Sequence, residues 1–187
     1  MRQASNPQSL RWLTVSAFAV ALTVSLLMAF SRISDGRQSA EALIRAGIAR
    51  ELFGKDSRGY QVLIDSAVMA PLPTVAAAAL IPLDRIAGDG ACFYAILALL
   101  SALTFCYLMA LGHALGMRGI GGALPGAGLG AALLFNPWTP LSAWSGTSAT
   151  GTLFFLVAVC AHLASWVRGR QLMSLDRKST RLNSSHS

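Results

Sequence analysis

Three long stretches of the chain contain no Asp, Glu, Lys or Arg. They run over residues 12–30, 91–117 and 119–167. A helix needs about 20 apolar residues to cross the ~30 Å hydrocarbon core of a bilayer, and water-soluble cores do not need runs of this length. Only 12% of the residues are charged, whereas an average soluble domain has about 25%. The pattern predicts an all-α, polytopic transmembrane protein that has the lipid bilayer as its main partner.

The apolar stretches divide into about four full spans and one shorter segment. We place the full spans at residues 12–30, 62–83, 91–116 and 149–167. The remaining segment, 124–136, is about 20 Å long as a helix, which is too short to cross comfortably. Five full crossings would put Arg168 and Arg170 on the outer side, against the preference of Arg and Lys for the cytoplasmic side. We therefore predict that 124–136 is a short or re-entrant helix.

The first span is flanked by positive charge on its N-terminal side. Arg2 and Arg11 precede it, so the positive-inside rule predicts a cytoplasmic N-terminus and an outer loop after the span. The apolar run is longer than the roughly 7–15 residues of a secretory signal, which favours an uncleaved anchor. We expect an integral protein of the bacterial inner (cytoplasmic) membrane.

Residues 176–186 read Asp-Arg-Lys-Ser-Thr-Arg-Leu-Asn-Ser-Ser-His and resemble the translation of a common short-read sequencing adapter at all eleven positions. Segments of such origin are excluded from fold reasoning. We therefore expect residues 1–175 to be the N-terminal part of one transmembrane domain and residues 176–187 to be a non-native tail. The exclusion also removes the basic tail as a nucleic-acid patch, and we predict no nucleic-acid partner.

The first outer loop, residues 31–61, contains a predicted surface helix. Ser39 is placed to cap it, and Glu41 lies in its first turn, where an acid suits the helix dipole. Glu41 and Arg45 are four residues apart, which is a favourable helical pair. Apolar residues also recur every four positions, at Ile44, Ile48 and Leu52. The pattern predicts a helix that lies either on the membrane surface or in a solvated loop.

Charged and aromatic side chains surround this helix in the loop. Asp35 precedes it, and Glu51, Asp56, Arg58 and Tyr60 lie at its end or follow it. A carboxylate at this place can act as a general base on an acceptor hydroxyl or bind a divalent metal, and an arginine can hold a phosphate. A charged loop with internal ion pairs is the alternative interpretation.

Ionisable residues inside a membrane are functional candidates by default. Asp65 lies in the predicted second span, His113 near the end of the third, and His162 inside the last. A packed, hydrogen-bonded histidine is the commoner alternative for both histidines. A transporter would place polar residues at the midplane of several spans, and here only His162 clearly lies at such a place.

Several short motifs stand at matching places around the spans. They are the loop acid Asp56 (with Asp35 as the alternative), Ala70-Pro71-Leu72-Pro73 at the start of the second span, Asn136-Pro137-Trp138 and Ser145-Gly146-Thr147-Ser148 before the last span, and Trp166-Val167-Arg168-Gly169-Arg170 after it. In these motifs the chain resembles the GT-C class of membrane glycosyltransferases, which includes the protein O-mannosyltransferases and the lipid A aminoarabinose transferases. The resemblance covers roughly residues 10–175.

This resemblance implies a polyprenyl-phosphate-linked sugar donor that enters laterally between spans, with transfer on the outer face of the membrane. It implies that Asp56, or Asp35 instead, is the catalytic base or the acid that orients the acceptor. We assign substrate binding to Arg58, Tyr60 and Glu51. Enzymes of this class usually have many more spans, so the chain is expected to be a truncated N-terminal part that is inactive alone.

The chain departs from the GT-C pattern in one respect that bears on metals. The class often has paired acids in the first loop, whereas Asp56 is followed by Ser57 and Asp35 by Gly36. We therefore assign no metal ligands, and a divalent metal is the one cofactor that we consider. The three cysteines also lack metal-ligand spacing and are interpreted as small, reduced hydrophobic residues. They are Cys92, Cys106 and Cys160.

Two other functional classes stay open at this point. A transporter or permease fragment is one alternative to the glycosyltransferase. A non-catalytic membrane scaffold is the other, and it predicts that Asp56, Arg58 and Tyr60 tolerate substitution. The sequence makes no prediction about the oligomeric state.

Overall fold

The computed structural model describes residues 7–52, 61, 71–115, 120–136 and 145–184, and the side chains of residues 11–52, 61, 72–115, 123–136 and 145–170. Every regular element in these ranges is a helix. The helices are α1 (Pro7–Ser34), α2 (Ala40–Leu52), α3 (Pro71–Ala78), α4 (Pro82–Ala87), α5 (Ala91–Ala114), α6 (Ile120–Leu134) and α7 (Ala149–Ser184). The prediction of an all-α protein is confirmed.

Three helices are long and apolar enough to cross a membrane. These segments are Arg11–Ser34, Ala91–Ala114 and Ala149–Arg170. They coincide with the predicted spans at 12–30, 91–116 and 149–167, and they support an integral membrane protein. Beyond Arg170, α7 continues to Ser184 through the segment that resembles a translated adapter.

The central helix of the bundle is α5, which packs against α1, α3, α6 and α7. Half of its most apolar part is buried (50%), whereas the corresponding fractions are 17% in α1 and 22% in α7. The outer two helices carry exposed apolar side chains such as Val20 and Leu156. Such surfaces suit contact with lipid, because lipid tails are as apolar as leucine.

Contacts between distant segments define two ends of the bundle. At one end, here called the α2 end, Ser39 N donates to Tyr94 Oη (3.1 Å) and Ser39 Oγ donates to the Gly146 carbonyl (2.8 Å). At the other, here called the Arg168 end, the Arg168 guanidinium donates to the His113 carbonyl. Helix α1 therefore runs towards the α2 end, whereas α5 and α7 run away from it.

The predicted second span, residues 62–83, is described only from residue 71, and this part is not one continuous helix. Arg50 and Asp84 flank this segment, and their side chains are hydrogen-bonded at the α2 end (Nη2–Oδ2 2.7 Å). Its described part consists of α3, a turn at residues 79–81 and the start of α4. The eight residues of α3 give only about 12 Å of helix. Residues 62–70 lie outside the described part.

Prolines explain where α3 and α4 begin. Pro71 is the first residue of α3, as the Pro-Leu-Pro sequence predicts, and Pro82 is the first residue of α4. Proline lacks an N–H and has a fixed φ, so it suits the first turn of a helix and does not continue a preceding one. Asp84 and Arg85 therefore lie on the short helix α4, and Asp89 follows it.

Helix α6 is short, as predicted. It follows α5 at the Arg168 end and runs antiparallel to it, with the rings of Phe105 and Phe135 5.7 Å apart. By Gly146 the chain has reached the α2 end. The 15 residues of α6 account for about 22 Å of helix, and residues 137–144 lie outside the described part. The topology of 124–136 stays a prediction.

Glycines let α6 approach the backbone of α5. A Cβ on Gly126 would overlap the carbonyl group of Leu108, and one on Gly130 would lie 2.7 Å from Phe105 Cδ2. Small residues at such positions allow close helix contact. Gly126 and Gly130 therefore allow the close contact between α6 and α5.

Candidate functional site

The α2 end is held together by Ser39, the residue before α2. Its Oγ accepts from Ala42 N at 3.0 Å, which is the predicted helix cap,. The same oxygen donates to the Gly146 carbonyl, and Ser39 N donates to Tyr94 Oη. One residue thus joins the start of α2, the first turn of α5 and the loop before α7.

Arg45 is a buried arginine between α2, α3 and α5, with 1% of its surface exposed. Its Nε donates to Glu41 Oε1 at 2.8 Å and its Nη1 to Thr74 Oγ1 at 2.8 Å. The guanidinium carbon also lies 5.5 Å from the centre of the Phe93 ring. A buried charge needs such partners to offset its lost hydration. The predicted Glu41–Arg45 pair is confirmed, and it anchors the helix to the bundle.

The buried face of α2 differs from the predicted apolar stripe. The buried residues are Ala42, Arg45, Ala46, Ile48 and Ala49. Ile44, in contrast, is 54% exposed. The alanines allow close packing on α3 and α5, so α2 docks on the bundle through its small residues. The predicted solvated or surface position is wrong for this face of the helix.

The carboxylate of Glu41 joins α2 to α7. Its Oε1 accepts from Arg45 Nε and from the backbone N of Ser148, the latter at 3.0 Å. Ser148 directly precedes α7, so the carboxylate lies where the helix dipole favours negative charge. Burial raises the pKa of Glu41, but the hydrogen bonds from Ser148 and Arg45 outweigh it, and the net pKa is below its usual value,.

Asp84 has the corresponding role at the start of α5. Its Oδ1 accepts from Cys92 N at 2.7 Å, and Gly90, the residue before α5, has no side chain that can do this. Only 4% of the Asp84 side chain is exposed. Arg50 Nη2 bridges Asp84 Oδ2 (2.7 Å) and Asp89 Oδ1 (2.5 Å). The hydrogen bonds to Asp84 and Asp89 raise the pKa of Arg50 above its usual value.

An open cleft of about 590 Å³ lies over this group. It is lined by Arg50, Ile81, Asp84, Arg85 and Asp89. Arg85 is exposed, and 70% of the Asp89 side chain is exposed. The cleft therefore presents guanidinium groups, which suit a phosphate, beside a carboxylate that can accept hydrogen bonds from hydroxyl groups.

An apolar groove of about 380 Å³ lies between α1, α4 and α5. Its lining includes Leu26, Phe30, Ile33, Leu83 and Ala87. Two of these residues belong to α4, the helix that also supplies two charged residues of the cleft. The short helix thus has the charged cleft on one side and the apolar groove on the other. Such an arrangement can hold an amphiphile with a charged head and an apolar chain.

The residues predicted from the loop are only partly described. Asp35 lies in the turn after α1 and is exposed, and Glu51 lies in the last turn of α2 and is also exposed. Neither lines the cleft. Asp56, Arg58, Tyr60 and Asp65 lie outside the described residues. Their predicted roles stay predictions.

Sequence reasoning did not single out the cleft. The charges at Asp84, Arg85 and Asp89 were interpreted as a turn between two spans. The available signal was their density, with three charged residues in six positions between apolar segments. Arg50 gave no signal, because its partner lies 34 residues further along the chain.

The histidines that the sequence places in or near spans have different surroundings. His162 Nε2 lies 3.4 Å from Tyr107 Oη, a long contact between α7 and α5. The two rings are 5.6 Å apart. His113 lies in the last turn of α5, and its carbonyl accepts from Arg168. His162 is thus a hydrogen-bonded residue of the helix interface, and His113 belongs to the Arg168 end.

Within the described ranges, no group of three or more His, Cys, Asp and Glu side chains is placed to hold a metal ion. The acids of the cleft share Arg50 instead. The three cysteines are free thiols at different depths, with Cys92 buried, Cys106 partly buried and Cys160 exposed.

Comparisons of the chain with protein-family models, with curated proteins and with solved structures find no match.

Proposed function

We propose that this chain is the N-terminal part of a GT-C-type membrane glycosyltransferase that takes its sugar from a polyprenyl-phosphate donor. The observation that supports this most is the position of α4 between the charged cleft and the apolar groove. The donor has the same division, with an apolar chain, a phosphate and a polar sugar. In this proposal the polyprenyl chain of the donor occupies the groove beside Phe30, and its phosphate contacts Arg85 and Arg50.

The orientation follows from the distribution of positive charge. Arg11 begins the first span, and Arg168 and Arg170 end the last one, at the same end of the bundle, whereas Arg32 lies in the last turn of α1 at the other end. Arginines near the ends of spans favour the cytoplasmic side. We therefore place the N-terminus in the cytoplasm of a bacterial inner membrane and the α2 end, with its cleft, at the outer face.

The transfer step uses residues that follow α2. Asp56 lies four positions after Leu52, the last residue of that helix, and Asp35 is its alternative. As a general base the carboxylate takes the proton of the acceptor hydroxyl while the oxygen attacks the anomeric carbon and the polyprenyl phosphate leaves. Arg58, with Arg85, balances the charge of the leaving phosphate. Tyr60 and Glu51 contact the sugar.

Donor binding is the first test, because it does not require the complete enzyme. The chain is placed in nanodiscs with polyprenyl phosphate that carries a radiolabelled mannose or aminoarabinose, and retention is compared with that of the unphosphorylated polyprenol. Since a hydrogen bond to a charged group is worth about 1.5–3 kcal/mol, Arg85→Gln should weaken retention roughly tenfold or more. Arg37→Gln is the matched control, because Arg37 is exposed and lies outside the cleft.

Two results would contradict donor binding at the cleft. One is equal retention of the phosphorylated and unphosphorylated lipids. The other is an equal effect of Arg85→Gln and Arg37→Gln, which would indicate a response to net charge.

A non-catalytic membrane scaffold is the second candidate. It is favoured by the use of Arg45, Glu41 and Asp84 in bonds between elements of the chain itself. Asp56→Asn separates the two candidates in membranes that show sugar transfer. Loss of transfer, with Asp35→Asn unchanged, supports the enzyme, whereas unchanged transfer in both variants supports the scaffold.

A further inference from the structure

A second cavity lies at the Arg168 end, far from the cleft, and its volume is about 440 Å³. It is formed between α1, α5 and α7, near the start of the first candidate span and the ends of the other two. Exposed Trp12 and Trp166 lie at the same level. Tryptophans of this kind typically mark the membrane–water interface.

The lining of this cavity changes from apolar to polar along its length. Leu13, Met109 and Cys106 line the part within the span, and His113, Ser165 and Arg168 line the part near the boundary. The distance from Cys106 to Ala114 along α5 corresponds to about 12 Å of helix. The cavity is thus deep enough for a headgroup together with the start of an acyl chain.

Its charge is positive and comes from Arg168. No acidic residue occurs among the described residues of the lining. The partial negative charge at the C-terminus of α5 disfavours an anion here. The Arg168 guanidinium donates to the His113 carbonyl and offsets this partial charge. A guanidinium has five N–H donors, so this bond leaves donors for a further acceptor.

The cavity also opens sideways towards the bilayer. Thr14, Ala110 and Ser165 belong to its lining and are exposed on membrane-spanning helices. A free anion would leave the apolar part without a partner, whereas a phospholipid fills both parts. Basic pockets between spans at the cytoplasmic side are known to suit anionic lipid headgroups.

We propose that this cavity binds one anionic phospholipid, with its phosphate at Arg168 and Ser165 and the start of an acyl chain against Leu13 and Met109. The proposal does not depend on the glycosyltransferase function. It assigns to Arg168 a ligand in addition to its bond with α5. The sequence had indicated only a basic turn at this place.

Native mass spectrometry with two lipids of identical acyl chains tests the proposal. The chain is released from nanodiscs that contain equal amounts of phosphatidylglycerol and phosphatidylcholine, and the ratio of the two retained lipids is measured. We expect at least about a fivefold preference for phosphatidylglycerol in the parent chain, as one well-placed arginine provides near a membrane surface. Arg168→Gln should bring the ratio close to one.

Arg170→Gln is the matched control, because it removes the same charge from the same helix. Arg170 lies outside the cavity lining and its guanidinium carbon lies 4.2 Å from the centre of the Trp166 ring. We expect this variant to keep the preference. An equal loss in both variants would overturn the proposal, because it would assign the effect to general surface charge.

A second variant keeps every charge and fills the space. Ala110 lines the cavity and is exposed, so Ala110→Phe should abolish the preference while leaving the fold unchanged by circular dichroism. Retention equal to that of the parent chain would show that the lipid binds elsewhere. Displacement of phosphatidylglycerol by inorganic phosphate would likewise overturn the proposal in favour of a site for free anions.

Discussion

The two ends of the bundle each contain one prominent arginine, and they use it in opposite ways. Arg45 at the α2 end is 1% exposed and is held by Glu41, Thr74 and the ring of Phe93. Arg168 at the other end is exposed and has one backbone carbonyl as its described partner. A guanidinium group thus connects helices where short helices cover it, as at Arg45. It stays accessible as a hydrogen-bond donor where they do not, as at Arg168.

The largest effect is expected from removing the buried arginine. Arg45→Ala removes a buried side chain, one of the two hydrogen bonds to Glu41 Oε1 and the partner of Thr74, so we expect it to lower the free energy of unfolding in detergent by about 3 kcal/mol. Arg168→Ala removes an exposed charge and should cost at most about 1 kcal/mol. Denaturant titration of both variants measures the difference. An equal loss of unfolding free energy in the two variants would contradict the different roles assigned to the two arginines.

The second effect separates the two acids that share Arg50. Asp84→Ala removes a buried carboxylate that caps α5, and the loss of a cap costs about 0.5–2 kcal/mol before the Arg50 pair is counted. Asp89→Ala removes the 70% exposed acid and should cost about 0–1 kcal/mol. If Asp89→Ala proved the more damaging, Asp84 would not be the residue that fixes the start of α5.

A third effect concerns the backbone of the loop before α7. Gly146 has φ +65°, and a Cβ there would lie 2.6 Å from both Ser39 Oγ and Tyr94 Oη. Gly146→Ala should therefore destabilise the protein by about 1–2 kcal/mol from the left-handed backbone alone. Gly47→Ala, in a helix position with open space around it, should stabilise it by about 0.5–1 kcal/mol. Thermal unfolding of the two variants should shift in opposite directions.

The smallest effect is a dependence on pH that only the α2 end should show. Since the pKa of Glu41 is lowered in the folded protein, its contribution is present above the unfolded pKa of about 4.3 and is lost as the pH falls through the folded value. Hydrogen exchange at the Ser148 amide, corrected for the intrinsic rate, should accelerate below about pH 4.

Two amides serve as references for that measurement. The Leu115 amide at the Arg168 end is bonded to the Leu111 carbonyl and should keep its protection over the same pH range. In Glu41→Gln the Ser148 amide should lose its pH dependence. Protection of Ser148 at pH 3 equal to that at pH 6 would contradict the role of the Glu41 carboxylate.

The sequence predicted the long helices well, because apolar length is a local property. The predicted span at 91–116 became α5 (Ala91–Ala114), and the predicted cap at Ser39 is present. The segment 62–83 is predicted as a span because its composition suits one, and its described part is α3, a turn and the start of α4. Whether such a segment crosses depends on what its two flanks contact, and the bond between Arg50 and Asp84 is not visible as a sequence pattern.

The site was harder to predict than the fold for a related reason. Glu41 and Arg45 were recognised as a pair from their spacing, but spacing does not report burial. Asp84 caps a helix that begins seven residues later, beyond the range of local capping patterns. The loop residues predicted from the resemblance, Asp56 and Arg58 among them, remain predictions.

The length of α6 has a consequence for the surrounding lipid. One side of this helix contacts α5 through glycines, and the other carries exposed Leu124 and Leu129. Its helical length of about 22 Å is shorter than the ~30 Å hydrocarbon core. Lipids adjust to a mismatch of this kind by local thinning at a fraction of a kcal/mol per Å. We therefore expect the bilayer to be thinner beside α6 than beside α1.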